Sequence, residues 1–376
     1  MKLLIHLLRF LVGGLFIFSG LVKANDPLGL TYKMEEFFEI WHTIWMIPFG
    51  TTLSVSMNAL EIVAGVALWV GWKPKWTLGG LLVLILFFTG LTGYTYYTGY
   101  PKTCGCFGDC LPIDASVSFY KDVALLFGIG LLIWKQAWIQ PIFSNRYQRV
   151  CLLAAAIFSV GLEFYVLHHL PIVDCLPYQV GKSIIEQRKQ PPPPSGSTVM
   201  FVYKKNGKEI EFAADQFPLD FNAQTYQFVR RYDTGEIIQA PIQGFVLYGM
   251  GGTDTTDAVL ETDRVMMIFS ERIQDDPKNW GASFNALYQL AKSQKIPLLL
   301  ITNRPDLWTL ERKRSYPEII LLSCDRTPIR TAARVTPTLF ELKRGSIQGK
   351  WGMHVTFLNS DSFSQNICFG IEKCFD

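Results

Sequence analysis

The sequence predicts a membrane-embedded bundle of about five helices followed by an α/β domain outside the membrane. Three observations predict it. The first 170 residues contain five apolar segments, near residues 3–22, 54–72, 76–97, 118–138 and 150–170. Each approaches the ~20 residues a helix needs to cross the hydrocarbon of a bilayer. A run of prolines at 191–194 then breaks the chain, because it favours an extended spacer over helix or sheet. Beyond it, strand-like and helix-like runs alternate, the pattern of a layered α/β domain. The bundle is therefore placed at 1–175, a linker at 176–198 and the second domain at 199–376.

Glycines recur within the spans, at Gly13, Gly14, Gly65, Gly79, Gly80, Gly90, Gly128 and Gly130, which suits close helix contact in lipid. The first span, with Lys2 and Arg9 at its start and Val22-Lys23-Ala24 at its end, has the outline of a signal peptide. Without it the bundle would lack a helix, so it is read as retained. Loop charges orient the spans. The second loop carries Lys73 and Lys75, and the fourth Lys135, Arg146 and Arg149, with no acid in either. The first holds Asp26, Glu35, Glu36 and Glu39 beside Lys23 and Lys33, and the third Lys102 with Asp109 and Asp114. By the positive-inside rule the second and fourth loops, and the N-terminus, are cytoplasmic. Everything after residue 170 is then extracytoplasmic. In the first loop, Phe37, Phe38, Trp41, Ile44 and Trp45 recur at helical spacing opposite Glu35, Glu36, Glu39 and His42, predicting a short helix with its aromatics in the acyl boundary.

In the third loop, residues 103–110 read Thr-Cys-Gly-Cys-Phe-Gly-Asp-Cys. Gly105 and Gly108 let the backbone reverse around Cys106. A Cys104–Cys106 bond would be strained and labile, whereas Cys106–Cys110 or Cys104–Cys110 is easier to close. Cys175 follows the fifth span closely enough to meet this loop. Three readings stay open: a structural staple, a redox couple and a metal site. His168 and His169 near Cys175 keep the last in view, but no zinc-type Cys-x-x-Cys spacing occurs and no metal is assigned. Lys102 is the one cation beside the motif, which weakens the case for a strongly activated thiol.

Glu61 lies inside the second span. An ionisable group at that depth marks a functional candidate or a helix-clamping ion pair. Lys23 is its natural partner, with Lys121 and Asp122 close in depth; Glu163, in the fifth span, is expected to snorkel or to pair with His168. The net charge of +3 is too small to argue for nucleic acid. No Gly-rich phosphate loop and no Ser-His-Asp arrangement is present.

In the second domain, 199–204 and 208–213 flank Asn206-Gly207, a hairpin signal. From residue 242 onward strand-like and helical runs alternate: strands are expected at 265–269, 297–302 and 319–322, helices at 283–292 and 327–334, and a hairpin of 338–343 with 346–351 turning at Arg344-Gly345. Val335-Thr336-Pro337-Thr338-Leu339-Phe340 with Lys343-Arg344-Gly345 resembles the cis-proline strand and terminal hairpin of thioredoxin-like proteins. Ile242–Leu247 written as Ile-Gln-Gly-Phe-Val-Leu, with Gly251-Gly252 and the 265–269 strand, is similar to their peroxiredoxin-like branch. The family's Cys-x-x-Cys would follow that strand, but Ser270-Glu271-Arg272-Ile273-Gln274 stands there. The resemblance thus implies a docking module, with Thr336 and Pro337 shaping a partner-binding groove. Cys324 is expected to be a buried small hydrophobe, and Cys368 with Cys374 a local structural disulfide.

The membrane half resembles the DoxX-like group, and within it the MauE-type proteins associated with methylamine dehydrogenase maturation. The residues concerned are Phe18-Ser19-Gly20-Leu21-Val22-Lys23 with Asp26-Pro27, then Ala59-Leu60-Glu61 with Gly65 and Gly71, and Cys104-Gly105-Cys106-Phe107-Gly108. A fusion of this bundle to a degenerate thioredoxin-like domain, with Asp174-Cys175-Leu176-Pro177-Tyr178 at the join, resembles a group of bacterial membrane proteins. The resemblance implies a bacterial inner membrane, a periplasmic C-terminal domain and a periplasmic protein partner. It also implies a thiol/disulfide relay, with Cys104, Cys106 and Cys110 as the exchanging set, Cys175 as their partner, Lys23 and Glu61 tuning a proton or quinone site, and a quinone as cofactor. The alternative is a non-enzymatic scaffold whose cysteines are structural.

Overall fold

A computed structural model of the chain describes residues 2–101, 108, 110–111, 113–190, 199–205, 207–213, 216–218, 221–222, 225–233, 240–271 and 281–353. Cys104, Cys106, Cys368 and Cys374 lie outside the described residues, as do the proline run and Arg272 to Gln274.

Five helices long and apolar enough to cross a membrane are present among the described residues. They are α1 (Lys2–Ala24), α3 (Gly50–Val70), α4 (Pro74–Thr98), α5 (Ala115–Trp134) and α6 (Asn145–His168). Their outward faces carry Leu7, Val83, Phe127 and Ile157, all strongly exposed, as lipid contact requires of side chains that no protein covers. A tight helical turn, Ile44–Phe49, runs straight into α3. The second apolar stretch thus begins ten residues before Ser54, because Pro48 is tolerated in a first turn that has no ladder to break.

The densest contact is between α1 and α3. An added Cβ at Gly13 would stand 2.9 Å from the Gly65 carbonyl, and one at Gly65 would stand 2.6 Å from the Gly13 carbonyl, so the two backbones touch as only small residues permit. The other span glycines divide: Gly14 and Gly128 meet side chains, whereas Gly79, Gly80, Gly90 and Gly130 face open space and take no part in helix contact. At the membrane face away from the C-terminal domain, the buried Arg9 guanidinium donates to the carbonyls of Leu68 at 2.6 Å, Gln140 at 2.9 Å and Trp69. Two of these belong to the last turn of α3, where the helical N–H donors run out, although the Leu68 carbonyl also accepts from the Gly71 amide at 3.2 Å.

The first loop forms α2 (Pro27–Ile40), capped by Asp26. Its aromatics depart from the expected interfacial arrangement. Phe37 and Phe38 are buried against the bundle, packing with Phe88 and Leu91 and with Leu30 and Met34; only Trp41, Ile44 and Trp45 remain exposed. Burial on protein removes more apolar surface from water than the boundary region would.

Beyond α6 the chain enters the second domain earlier than the linker assignment at 176–198 implies. Tyr178 and Ile184 are fully buried in its core with Phe245, Phe269 and Phe340. The amides of Gly181 and Ile184 donate to Ile347 and Gly345, and α7 (Ile184–Arg188) follows. Apolar side chains at alternating spacing outweigh the composition of the segment. A separate small sheet, ordered β2-β1-β3, is built from β1 (Val199–Lys205), β2 (Lys208–Ala213) and β3 (Gln227–Asp233); its third strand had no clear sequence signal.

The core domain continues through α8 (Thr256–Leu260), β4 (Val265–Phe269), α9 (Gly281–Ser293), β5 (Leu298–Thr302), α10 (Leu310–Ser315), β6 (Ile319–Ser323), α11 (Arg326–Ala332), β7 (Thr338–Lys343) and β8 (Ser346–Gly352). The sheet order is β6-β5-β4-β7-β8, with β4, β5 and β6 parallel and β7 and β8 antiparallel. β4 and β5 are buried at every residue, as central strands covered on both faces must be. The β7–β8 hairpin turns at Arg344 and Gly345, both at positive φ, where glycine pays no Cβ penalty. The Thr336–Pro337 bond is cis. This is the thioredoxin-like arrangement, α/β layers closing on a hairpin. Ile242, Phe245 and Leu247 are buried but form no ladder, apart from the isolated bridges of Tyr248 to Asp254 and Ser323 that follow them.

Candidate functional site

Cys110 and Cys175 are joined by a disulfide, with Cα atoms 4.7 Å apart across 65 residues of sequence. It ties the loop before α5 to the segment after α6, at the end of the bundle that carries the second domain. Both cysteines are half-buried. Asn25, in the turn after α1, fixes the segment: its Nδ2 donates to the Val173 carbonyl at 2.8 Å and its Oδ1 accepts from the Val173 amide at 3.0 Å. The same Nδ2 stands 3.9 Å from Cys110 Sγ. The sequence reading passed over Asn25; its signal was a polar side chain between Lys23 and the Asp26 cap.

The thioredoxin-like domain sits against α2 through a ladder of ion pairs. Arg334, buried, donates to Asp26 at 2.7 Å. Arg330 donates to Glu35 at 2.6 Å and to Glu271 at 3.0 Å, and Arg326 donates to Glu271 at 2.6 Å. Arg330 and Arg334 lie over the Tyr32 ring, 4.3 and 5.5 Å from its centroid, a geometry that cation–π attraction favours. Lys350 adds a bond to Asp174 at 2.8 Å, next to Cys175. Glu271 follows β4 by two residues, where the thioredoxin-like Cys-x-x-Cys would begin, so the place of a nucleophile is taken by the hub of a salt bridge. Burial would raise the Glu271 carboxyl, but the bonds and charges of Arg330 and Arg326 outweigh it and hold the group below the usual carboxylate range. Burial likewise opposes the charge of Arg330, and Glu271 and Glu35 overcome it. Tyr32 is pushed up to about 12, chiefly by burial.

Between α2, the Cys175 segment and α11 lies an open cleft of about 740 Å³. Its walls include Tyr32, Glu36, Cys175, Gln243 and Arg326. A thiolate entering it meets one sulfur of the disulfide and a partly exposed guanidinium in the same space, the kind of surroundings in which thiolates are stabilised. Thr336 and Pro337 lead into β7, and the Pro337 carbonyl accepts from the Met353 amide at 2.9 Å.

Deeper in the bundle, Lys23 and Glu61 form a direct ion pair, each 1% exposed. Lys23 Nζ also lies 4.2 Å from the centroid of the Phe88 ring. Lys121 pairs with Asp122 at 2.8 Å, and Asp122 accepts from Thr92 at 3.1 Å. These groups and Ser19 line a cavity of about 20 Å³, room for one water and too small to seat a quinone ring. Glu163 neither snorkels nor meets His168. It accepts from Asn58 at 2.8 Å, while His168 Nδ1 stands 2.8 Å from the Phe164 carbonyl of its own helix, the short reach that a terminal helical turn offers.

Cys324 is buried, and its thiol is pushed up to about 12, mainly by desolvation. Among the described residues no group of three or more His, Cys, Asp or Glu could hold a metal ion.

Comparison with known families places this geometry. The model of the family described as methylamine utilisation protein MauE matches residues 1–135. A domain of unknown function (DUF8463) matches residues 198–236, the small β2-β1-β3 sheet. Curated proteins give no match. Among solved structures, copper-bound ScoI of Arabidopsis thaliana aligns over 34% of this chain and 94% of its own, at 14% identity and a TM-score of 0.25. The thioredoxin-like assignment stands on the sheet order and the closing hairpin. Residues 1–135, the membrane bundle, match the MauE family model, and a domain of thioredoxin-like fold follows at the C-terminal side.

Proposed function

We propose that this membrane protein is a thiol/disulfide relay supporting the maturation of extracytoplasmic proteins, and that the Cys110–Cys175 bond is the one exchanged. The observation that carries the reading is that bond's position: half-buried, clamped by Asn25, and opening on the cleft beneath the thioredoxin-like domain. In the exchange, a substrate thiolate attacks one sulfur and displaces the other as a thiolate. A second substrate thiol then resolves the mixed disulfide. Two electrons and the attacking bond are accounted for: the substrate leaves as a disulfide, and Cys110 and Cys175 remain as thiols. Cys104 and Cys106 would complete the exchanging set. The loop charges support a bacterial inner-membrane location with the cleft on the periplasmic side. Thr336 and Pro337 would help shape the surface that a periplasmic partner meets.

The oxidant that resets the pair is expected to be a quinone, although the Lys23–Glu61 cavity does not accommodate one. A second reading has its own support: the ion pairs from Arg334, Arg330 and Lys350 already hold together the elements that the disulfide joins, which is how a staple in a non-enzymatic scaffold would work. Redox titration of the purified full chain with thiol-trapping mass spectrometry separates the two. A Cys110–Cys175 bond that reduces and reoxidises within the glutathione range, faster with quinone added, supports the relay. A bond with a potential below about −300 mV that stays closed makes it a staple.

A further inference from the structure

The bundle buries a third acid that the exchange chemistry does not use. Glu163 of α6 is fully buried. Its Oε1 accepts from Asn58 Nδ2 at 2.8 Å, and its Oε2 has no partner. Asn58 Oδ1, beside this contact, is also unpartnered, and the Ser159 hydroxyl lies one turn earlier on the face of Glu163. Glu61 Oε2 completes the set.

Charge separates Glu163 from its neighbours. Glu61 is neutralised by Lys23 and Asp122 by Lys121, but no ion pair reaches Glu163 among the described residues. The charged groups of the elements packed on α6 are committed elsewhere. On α1, Lys23 holds Glu61 and Arg9 holds carbonyls at the far face. On α2, Glu35 binds Arg330, Lys33 binds Glu36, and Glu39 is exposed. On α6 itself, Arg146 and Arg149 are exposed at its start, and His168 binds the backbone at its end. A carboxylate buried with only an amide and a hydroxyl beside it, and no cation, would keep most of its desolvation penalty. A carboxylic acid would not, and its O–H supplies the donor that the orphaned oxygens lack.

We propose that Glu163 is a proton-binding site buried within the membrane, held as the neutral acid against Asn58 of α3. Asn58 and Glu61 lie three residues apart on α3, hence on one face, so the site stands beside the Glu61–Lys23 pair. The site stands independently of the thiol chemistry proposed above.

Difference infrared spectroscopy of the full chain in lipid nanodiscs tests this without any assay of exchange. At neutral pH the wild type is expected to show a carbonyl stretch of a buried carboxylic acid, shifted in D2O and lost in Glu163→Gln. Absence of the band from the wild type, or its survival in Glu163→Gln, overturns the proposal. Replacement of the band by a carboxylate signal on adding sodium also overturns it, in favour of a cation site. Should Glu163→Gln fail to fold, Ser159→Ala decides: a shifted acid band supports the site, and an unshifted one removes it.

Discussion

Arg9 and Glu61 are both ionisable, both 1% exposed and both inside the bundle, yet they are treated in opposite ways. Arg9 sits at the face away from the second domain with its donors spread over three backbone carbonyls, and it is not among the side chains with an unpartnered buried atom. Glu61 sits on the side of the domain with one oxygen on Lys23 and the other on nothing, beside a water-sized cavity. The difference separates a fastening from a site. A charge buried for stability is saturated by its surroundings, whereas one buried for chemistry is left with an atom to use.

Breaking the Lys23–Glu61 pair on one side should have the largest effect. Lys23→Met leaves a carboxylate buried without its cation, a change that costs about 3–5 kcal/mol in comparable buried pairs. Lys23→Met with Glu61→Met should recover most of that loss, measured by denaturant or thermal unfolding in bicelles. A single substitution costing less than about 1 kcal/mol would show that the pair is not the unit described here.

Arg9→Leu should cost less, about 1.5–3 kcal/mol, the typical range for bonds to a charged group, and no second substitution should rescue it, because the freed groups are backbone. It should also leave the redox titration of Cys110–Cys175 unchanged. A shift in that titration would mean that the two ends of the bundle are coupled, and would blur the distinction between them.

The contact between domains offers a smaller, pH-dependent test. Glu271 has its carboxyl lowered by Arg330 and Arg326 despite burial. For a group lowered on folding, the stabilising contribution is fully present above the unfolded value, about 4.3, and is lost as pH falls through the folded value. Protection factors at α2 and α11, which remove the intrinsic pH dependence of exchange, should therefore be alike at about pH 7 and about pH 5 and should fall only in stronger acid. Loosening between those two values would point to a histidine instead of Glu271.

The spans and the Lys23–Glu61 pairing were legible in the sequence because hydropathy and depth in the bilayer constrain each span separately. So were the central strands, whose apolar runs leave few alternatives, and the burial of Cys324. What escaped was set by contacts between distant segments. Asn25 gains its meaning only from Val173, 148 residues away, and Asn58 only from Glu163. Glu35 and Glu271 are brought to one cation only by Arg330, which the sequence alone does not place between them. Tyr178 read as linker because its partners lie beyond residue 240.

The smallest expected effect concerns the thiols. Cys324 and Cys175 differ in accessibility: one is buried in the thioredoxin-like core, the other is half-buried and stands in a cleft wall. With the Cys324 thiol near 12, only about one part in ten thousand is thiolate at pH 8, and the thiolate is the form that alkylates. Iodoacetamide applied to the reduced, folded protein should therefore label Cys110 and Cys175 first. Cys324 should react only on global unfolding, so its rate should follow denaturant concentration. Labelling of Cys324 at the rate of Cys175 under native conditions would mean that the domain opens readily beside the bundle. The thioredoxin-like half would then be a mobile donor of a thiol, and the contrast between an inert core cysteine and an exchanging surface bond would fail.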